Sequence, residues 1–220
     1  MFRLEKEQRA ATSEERTVLA AYSDFGGIKA VLSPFGKLTD ILRWTQSDRD
    51  LFPLISELHG VLREGAKDER EYKRLVESVK ASTFTAFYTP PEIIGAIASS
   101  LDEHGVSPHS FLDPSSGTGN FLSAFQPHFF TATAVPEVTA YEKDLLTGRI
   151  LAQLQPDANV RVQGFEELPA QDNGRFDVAA SNIPFGDIRV FDPSMDNGTS
   201  RRFALNSLHN YFFVLSLIHI

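Results

Sequence analysis

The stretch Phe111-Leu-Asp-Pro-Ser-Ser-Gly-Thr-Gly-Asn-Phe121 constrains the chain more than any other: an apolar strand end runs into an acidic, glycine-rich turn and then a helix start. Gly117 and Gly119 let the backbone turn sharply and approach a ligand closely. Asp113 sets a carboxylate at the carboxyl end of a strand, where open α/β sheets bind small molecules. An ordinary strand-to-helix turn needs glycine only for its φ angles, so the stretch alone leaves both readings open. A dinucleotide-binding turn fits less well, because it wants a third glycine where Leu122 stands, and Asp113 repels a pyrophosphate. A cationic or zwitterionic ligand with hydroxyls suits the charge better.

Around this turn the pattern alternates. Ser110 to Asp113 is expected as a strand, Asn120 to Phe125 as a helix start, Val138 to Glu142 as a strand, Leu145 to Leu154 as a helix, and Val160 to Gln163 and Phe176 to Ser181 as two further strands. Such alternation implies an α/β fold with a parallel sheet and right-handed crossovers, its function gathered along the strand carboxyl ends. Residues 1 to 81 read instead as a helical region, with the boundary near Ser82 and a second domain over residues 82 to 220. Thr12-Ser-Glu-Glu15 fits a capping box, and Tyr22 to Gly27 reads as a turn with aromatic anchors. Leu51, Leu54, Ile55, Leu58, Val61 and Leu62, then Tyr72, Leu75, Val76 and Val79, recur at helical spacing and are expected in the core. Thr89-Pro-Pro-Glu92 reads as a second capping box, opening a helix that Gly105 ends.

Composition narrows the function classes. The chain has no cysteine, which excludes disulfides and thiolate metal sites, and none of its six histidines stands at metal-ligand spacing, so no metal site is expected. No apolar run approaches the roughly 18 residues of a membrane span, and the charged start does not suit a signal peptide, so a cytoplasmic chain without membrane contact is expected. The net charge of −8 runs against phosphate binding as the source of affinity for nucleic acid. Between Val61 and Lys80, Arg63, Lys67, Arg70, Lys73, Arg74 and Lys80 are offset by Glu64, Asp68, Glu69, Glu71 and Glu77, the pattern of a solvated helical face.

Two further segments carry chemistry. Glu142 ends the second expected strand about 20 residues after the glycine turn, where a carboxylate accepts hydrogen bonds from both hydroxyls of a ribose. The fourth strand delivers Asn182-Ile-Pro-Phe185, which combines a fixed amide oxygen, a turn rich in carbonyls and an exposed aromatic face. Accepting hydrogen bonds from the two protons of an exocyclic amine raises electron density on its nitrogen as a new bond forms, an effect larger in the transition state than in the ground state.

Asp-Pro-Ser-Ser-Gly-Thr-Gly-Asn-Phe121 closely resembles the D-P-A-x-G-S-G-x-F motif of S-adenosylmethionine-dependent methyltransferases that act on DNA adenine. Asn182-Ile-Pro-Phe185 resembles their Asn/Asp-Pro-Pro-Tyr/Phe motif, with Ile183 where the first proline usually stands. Phe-Tyr-Thr-Pro90 is similar to the segment that precedes the cofactor loop in the same family. Asn-Ile-Pro-Phe-Gly186, with Tyr22 to Gly27 upstream, resembles the methylase part of large methylase-helicase proteins of phages and conjugative elements. The resemblance implies a Rossmann-like methyltransferase sheet, S-adenosylmethionine as cofactor, and an adenine flipped from a DNA duplex as acceptor. It implies that Tyr88 and Thr89 meet the methionine end of the cofactor, with Asp113, Ser115, Gly117, Gly119 and Phe121 forming the loop, Glu142 at the ribose and Phe165 against the adenine. Gly164 stands where an aspartate is frequent, leaving Gln163 or Glu166 as the polar contact. Asn182, with a carbonyl of Ile183 or Pro184, would accept from the target amine, and Phe185 would stack on the base.

Asp187 to Asn206 is expected either as a flap over that base, with Arg201 and Arg202 meeting phosphates, or as a loop. Leu205 to Ile220 begins as an amphipathic helix. The family's sheets have seven strands and four are accounted for, so the fourth strand is expected at a sheet edge, with strands five to seven, a target-recognition region and helicase segments expected in further C-terminal sequence. The closing Leu215-Ser-Leu-Ile-His-Ile220 also reads as one frame of a transposase sequencing adapter, so these last six residues are expected not to be native. Two other functions remain open on the sequence: methylation of another planar acceptor, such as an RNA base or protein glutamine, and an idle cofactor- or DNA-binding module of a larger protein.

Overall fold

The computed structural model describes residues 1–85, 88–129, 135–169, 172–184, 190, 192, 195 and 204–220. The chain divides into two compact units, Met1–Phe87 and Tyr88–Ile220. The helix that contains Ser82 continues to Thr85.

The first unit is helical. After α1 (Phe2–Lys6), α2 (Ser13–Ala20) opens with the expected capping box: the Glu15 amide donates to Thr12 Oγ1 at 3.3 Å and the Thr12 amide to Glu15 Oε2 at 3.0 Å. Two longer helices, α3 (Phe52–Gly65) and α4 (Glu69–Thr85), pack on each other. Ile55 and Leu62 of α3 and Tyr72, Leu75 and Val79 of α4 are buried as their spacing requires, but Leu54 and Val61 lie 60% and 49% exposed. The third buried position of α3 is His59, whose Nδ1 pairs with the Tyr72 hydroxyl at 2.7 Å while its ring stacks on Phe35 at 4.1 Å. Hydrophobicity could not announce a histidine that enters the core by stacking and one hydrogen bond. Burial holds its pKa below the ordinary value.

The second unit is a Rossmann-like α/β layer structure. Its helices are α5 (Pro91–Glu103), α6 (Asn120–Phe129), α7 (Leu145–Leu154) and α8 (Leu208–His219). Its strands, β1 (Ser110–Asp113), β2 (Glu137–Tyr141), β3 (Asn159–Arg161) and β4 (Val178–Ala179), form one parallel sheet in the order β3-β2-β1-β4. Side chains alternate across it. Phe111, Val138 and Ala140 face a cluster with Ile94 and Ala98 of α5, Phe125 of α6 and Leu151 of α7. Leu112 and Tyr141 face the opposite cluster with Phe165, Phe176 and, from α8, Tyr211, Phe212 and Leu215. Both faces are covered, which is why the adjacent residues Phe111 and Leu112 of β1 are both apolar. Burial of a side chain such as Phe111 or Phe125 stabilises the layers by about 2–3 kcal/mol each.

As expected, β4 is an edge strand among the described residues, with β1 as its partner. It is shorter than the run Phe176 to Ser181. The Phe176 amide is drawn to the C-terminal turn of α8, donating to the His219 carbonyl at 3.0 Å, and the Asp177 amide reaches Ser110. The second expected capping box does not form: α5 starts at Pro91 with Pro90 at the cap position, and proline carries no side-chain acceptor. Gly105 follows the helix at φ +79, as a terminating glycine does.

Candidate functional site

The sheet order places a topological switch between β1 and β4: chain from β1 leads outward to β2 and β3, and β4 returns on the other side. Open sheets bind ligands at the carboxyl ends flanking such a point. Asp113 ends β1 there, fully buried.

The loop after Asp113 is tied down on three sides. The Ser115 amide donates to Asp113 Oδ1 at 3.2 Å, and the Ser116 hydroxyl to the Asp113 carbonyl at 3.0 Å. The Ser116 amide donates to the Tyr141 carbonyl at 2.9 Å, and the Gly117 amide to Glu142 Oε2 at 2.8 Å, so the end of β2 holds the loop from one flank. From the other flank the Ser181 hydroxyl donates to the Ser115 carbonyl at 3.1 Å. Gly117 and Gly119 both adopt positive φ, +55 and +89. They differ in surroundings. A Cβ on Gly119 would stand 2.8 Å from Leu151 Cδ1 of α7, whereas one on Gly117 would meet, among the described residues, the Tyr88 ring alone, 3.6 Å from its Cε1. Gly119 therefore lets the loop seat against α7, and Gly117 keeps a space open beneath Tyr88.

Two acids face this loop in unusual states. Burial pushes the Asp113 carboxyl up to about 7, against the opposing pull of the Ser181 and Ser116 hydroxyls and the Ser115 amide. Its Oδ2 has no hydrogen-bond partner among the described residues. Glu142 also rises to about 7 through burial, although its two oxygens accept from the Gly117 and Asp144 amides; the charges of Asp144 and Asp113 push the same way. A buried carboxylate with an orphaned oxygen is costly unless a partner completes it.

The loop contacts thus bring together Tyr88, Asp113, Ser115, Gly117, Glu142 and the turn entering Asn182. Asn182, Ile183 and Pro184 are half-buried just after β4, and Ile183 packs on the cluster around Leu112. Thr89 is half-buried ahead of α5. Phe121 packs along α6, its ring 6.2 Å from Phe125. Phe165 lies deeper, 2% exposed, stacked on Phe212 at 5.7 Å and edge-on to Tyr141 at 5.5 Å. Phe185, Arg201 and Arg202 lie outside the described residues. Of the flap stretch, Met195 and Ala204 are buried in the cluster with Tyr211, and the Val190 amide donates to the Leu205 carbonyl at 3.0 Å. Ser116 and Ser181 were not distinguishable as site residues in the sequence, where a small hydroxyl beside a motif carries no periodic or spacing signal.

No family model matches the chain. Over 101 residues it is 32% identical to the defense against restriction protein B of Escherichia phage P1, a match covering 46% of this chain and 4% of that protein. A solved structure, that of a modification subunit assigned to a type I restriction enzyme of Vibrio vulnificus YJ016, is similar with a TM-score of 0.46 and 18% identity, over 77% of this chain and 39% of the other. The chain therefore spans a small part of the phage relative and well under half of the solved one.

The donor set favours a ligand that is cationic at one end and hydroxylated at the other. Asp113 offers a carboxylate oxygen, Gly117 a close backbone approach, and Glu142 further lone pairs for hydroxyls beyond the two amides it already accepts. Such an occupant would lower both pKa values by supplying the missing positive charge. At the next strand end, Lys143 pairs with Glu166 at 2.8 Å, across the turns after β2 and β3. Among the described residues no group of three or more His, Asp or Glu side chains gathers to hold a metal ion, and no helix is long and apolar enough to cross a membrane.

Proposed function

We propose that the chain is the catalytic part of an S-adenosylmethionine-dependent DNA methyltransferase, directed to adenine N6, with residues 1–81 as a helical region ahead of the catalytic domain. The observation that carries this reading is the buried Asp113, its Oδ2 without a hydrogen-bond partner among the described residues, at the switch point where β1 opens into the glycine loop and β4 leads into Asn182. The residues present fit the cofactor: Asp113, Ser115, Gly117, Gly119 and Phe121 would cradle it with Tyr88 and Thr89 at its methionine end, Glu142 at its ribose and Phe165 behind its adenine. S-adenosylmethionine, when bound, supplies an electrophilic methyl group.

The rest is the work of this chain's residues. An exocyclic amine is a poor nucleophile because its lone pair is delocalised into the ring. The Asn182 amide oxygen and a carbonyl of Ile183 or Pro184 accept its two hydrogens, which localises the lone pair and strengthens both bonds as charge develops. Alignment of amine and methyl supplies most of the remaining rate. Extrusion of the base costs a few kcal/mol, and stacking on Phe185 offsets part of it. DNA as acceptor agrees with the name of the phage relative, a protein of defense against restriction, since a methylated base alters what a restriction enzyme reads.

The test is methyl transfer from labelled S-adenosylmethionine to unmethylated DNA, RNA and protein in parallel. Label is expected in DNA and to fall about 10²- to 10³-fold in Asn182→Ala, with cofactor binding retained. Label in RNA or protein instead would move the acceptor, and label in none would leave a binding module.

A further inference from the structure

The charge of this chain is divided unevenly between its two units. Met1–Phe87 holds 14 lysines and arginines against 14 aspartates and glutamates, whereas Tyr88–Ile220 holds 7 against 15, so the whole net charge of −8 belongs to the second unit. That balance repels a polyanion, and attraction has to come from cations grouped locally. Six cations lie between Val61 and Lys80 in the helical unit, and the fold separates several of them from the acids that accompany them in sequence. Asp68 Oδ1 accepts from the Glu71 amide at 2.8 Å, and Glu71 Oε2 accepts from the Lys67 amide at 2.7 Å, so both acids are engaged at the start of α4. The helix dipole favours acids there. Glu69 pairs with Arg63 at 3.2 Å, Glu77 pairs with Lys80 at 3.0 Å, and Glu64 lies on α3. Arg70, Lys73 and Arg74 are all exposed, and among the described residues their side chains make no ion pair or hydrogen bond. Positions 70, 73, 74 and 77 share one face of a helix, opposite the buried Tyr72, Leu75 and Val79. Three uncommitted cations therefore stand within roughly 6 Å along the axis of α4.

We propose that the exposed face of α4 formed by Arg70, Lys73 and Arg74 is a binding surface for the phosphate backbone of a DNA duplex. The choice of DNA rests on the acceptor given under the proposed function. The cations supply what phosphates need: two guanidinium forks, each able to hold a phosphate through two parallel hydrogen bonds, and one ammonium as a point charge. The one acid on the same face, Glu77, is held by Lys80, so it opposes an approaching phosphate less than a free carboxylate would. Contacts of this kind carry no base sequence and set affinity and position alone. The surface thus separates two tasks, with the grip on the backbone in the neutral helical unit and the site at Asp113 and Asn182 in the acidic one.

The test is fluorescence anisotropy of a labelled DNA duplex titrated with the full chain over a range of about 50 to 200 mM salt. The parent is compared with a triple variant, Arg70→Gln, Lys73→Gln and Arg74→Gln, and with a charge-matched control outside α4, Lys29→Gln, Lys37→Gln and Arg43→Gln. Glutamine has nearly the helix propensity of lysine and arginine, so α4 is expected to persist, which circular dichroism checks. The α4 variant is expected to bind about 10- to 100-fold more weakly than the parent, with the slope of log affinity against log salt reduced by about 2 to 3. The control stays within about threefold of the parent, and Glu77→Gln tightens binding. Equal loss in the control and the α4 variant, an unchanged slope, or no binding of duplex by the parent overturns the proposal. So does displacement of the labelled DNA by an RNA duplex or polyglutamate at tenfold lower concentration than by unlabelled DNA, which would assign the face to another polyanion. Binding of S-adenosylhomocysteine is expected to be the same in the parent and the α4 variant. Duplex binding through α4 without methyl transfer to DNA would overturn the methyltransferase reading and leave the surface standing.

Discussion

Asp113 is the residue at which folding and ligand binding oppose each other. The fold buries it completely and, among the described residues, gives one of its oxygens no hydrogen-bond partner; burial pushes its carboxyl up to about 7 from the ordinary 3.8. The sign of the consequence follows from linkage. A folded-state pKa raised above the unfolded one means the native state binds more protons between the two values, so the stability present below about pH 4 is lost as pH rises through about 7. A shift of this size corresponds to at most about 4 kcal/mol. Glu142, also raised to about 7, acts in the same direction. Asp113→Asn keeps the shape and cannot ionise. Urea denaturation of the ligand-free chain should show this variant gaining stability relative to the parent between pH 5 and pH 8. A difference that does not change with pH would mean that Asp113 is not held in its raised state.

Among the elements, the β1 loop and α7 depend on each other through Gly119. An alanine there meets both a strained φ of +89 and Leu151 Cδ1 at 2.8 Å, whereas at Gly117 it meets the φ of +55 and, among the described residues, an ordinary contact with Tyr88. Chemical denaturation should therefore separate the two: about 3 kcal/mol lost for Gly119→Ala and about 1–2 kcal/mol for Gly117→Ala. Equal losses would mean that packing on α7 is not what Gly119 serves. The same loop shows what sequence could reveal. The strand Ser110–Asp113 and the helix Leu145–Leu154 have the expected bounds: the strand stops at the acid before Pro114 and the glycine turn, and the helix starts at the Asp144 cap. At Val178–Ala179 the apolar run is longer than the strand, because α8, far along the chain, takes up the Phe176 amide. The missing cap at Thr89 has a local cause: two prolines set the helix start one residue later than a Thr cap requires.

Over the whole molecule, the site is legible as a list but not as a network. Glycines, an end-of-strand acid and Asn182 stand out because each residue type is unusual for its place. The bonds that join them, Gly117 to Glu142 and Ser181 to Ser115, link positions far apart in the chain and leave no local trace. His59 is the counterpart in the helical unit, a polar residue made into core by Phe35 and Tyr72. All the cofactor contacts proposed converge on the carboxyl ends of neighbouring strands, so a single ligand should engage β1 and β2 together. Calorimetric titration of S-adenosylhomocysteine into the parent and into Glu142→Gln, an isosteric change, tests this directly. One site per chain is expected, with Kd raised about tenfold in the variant by loss of a charged acceptor for the ribose hydroxyls. No binding to the parent, or the same Kd in both, would contradict a cofactor site at this edge of the sheet.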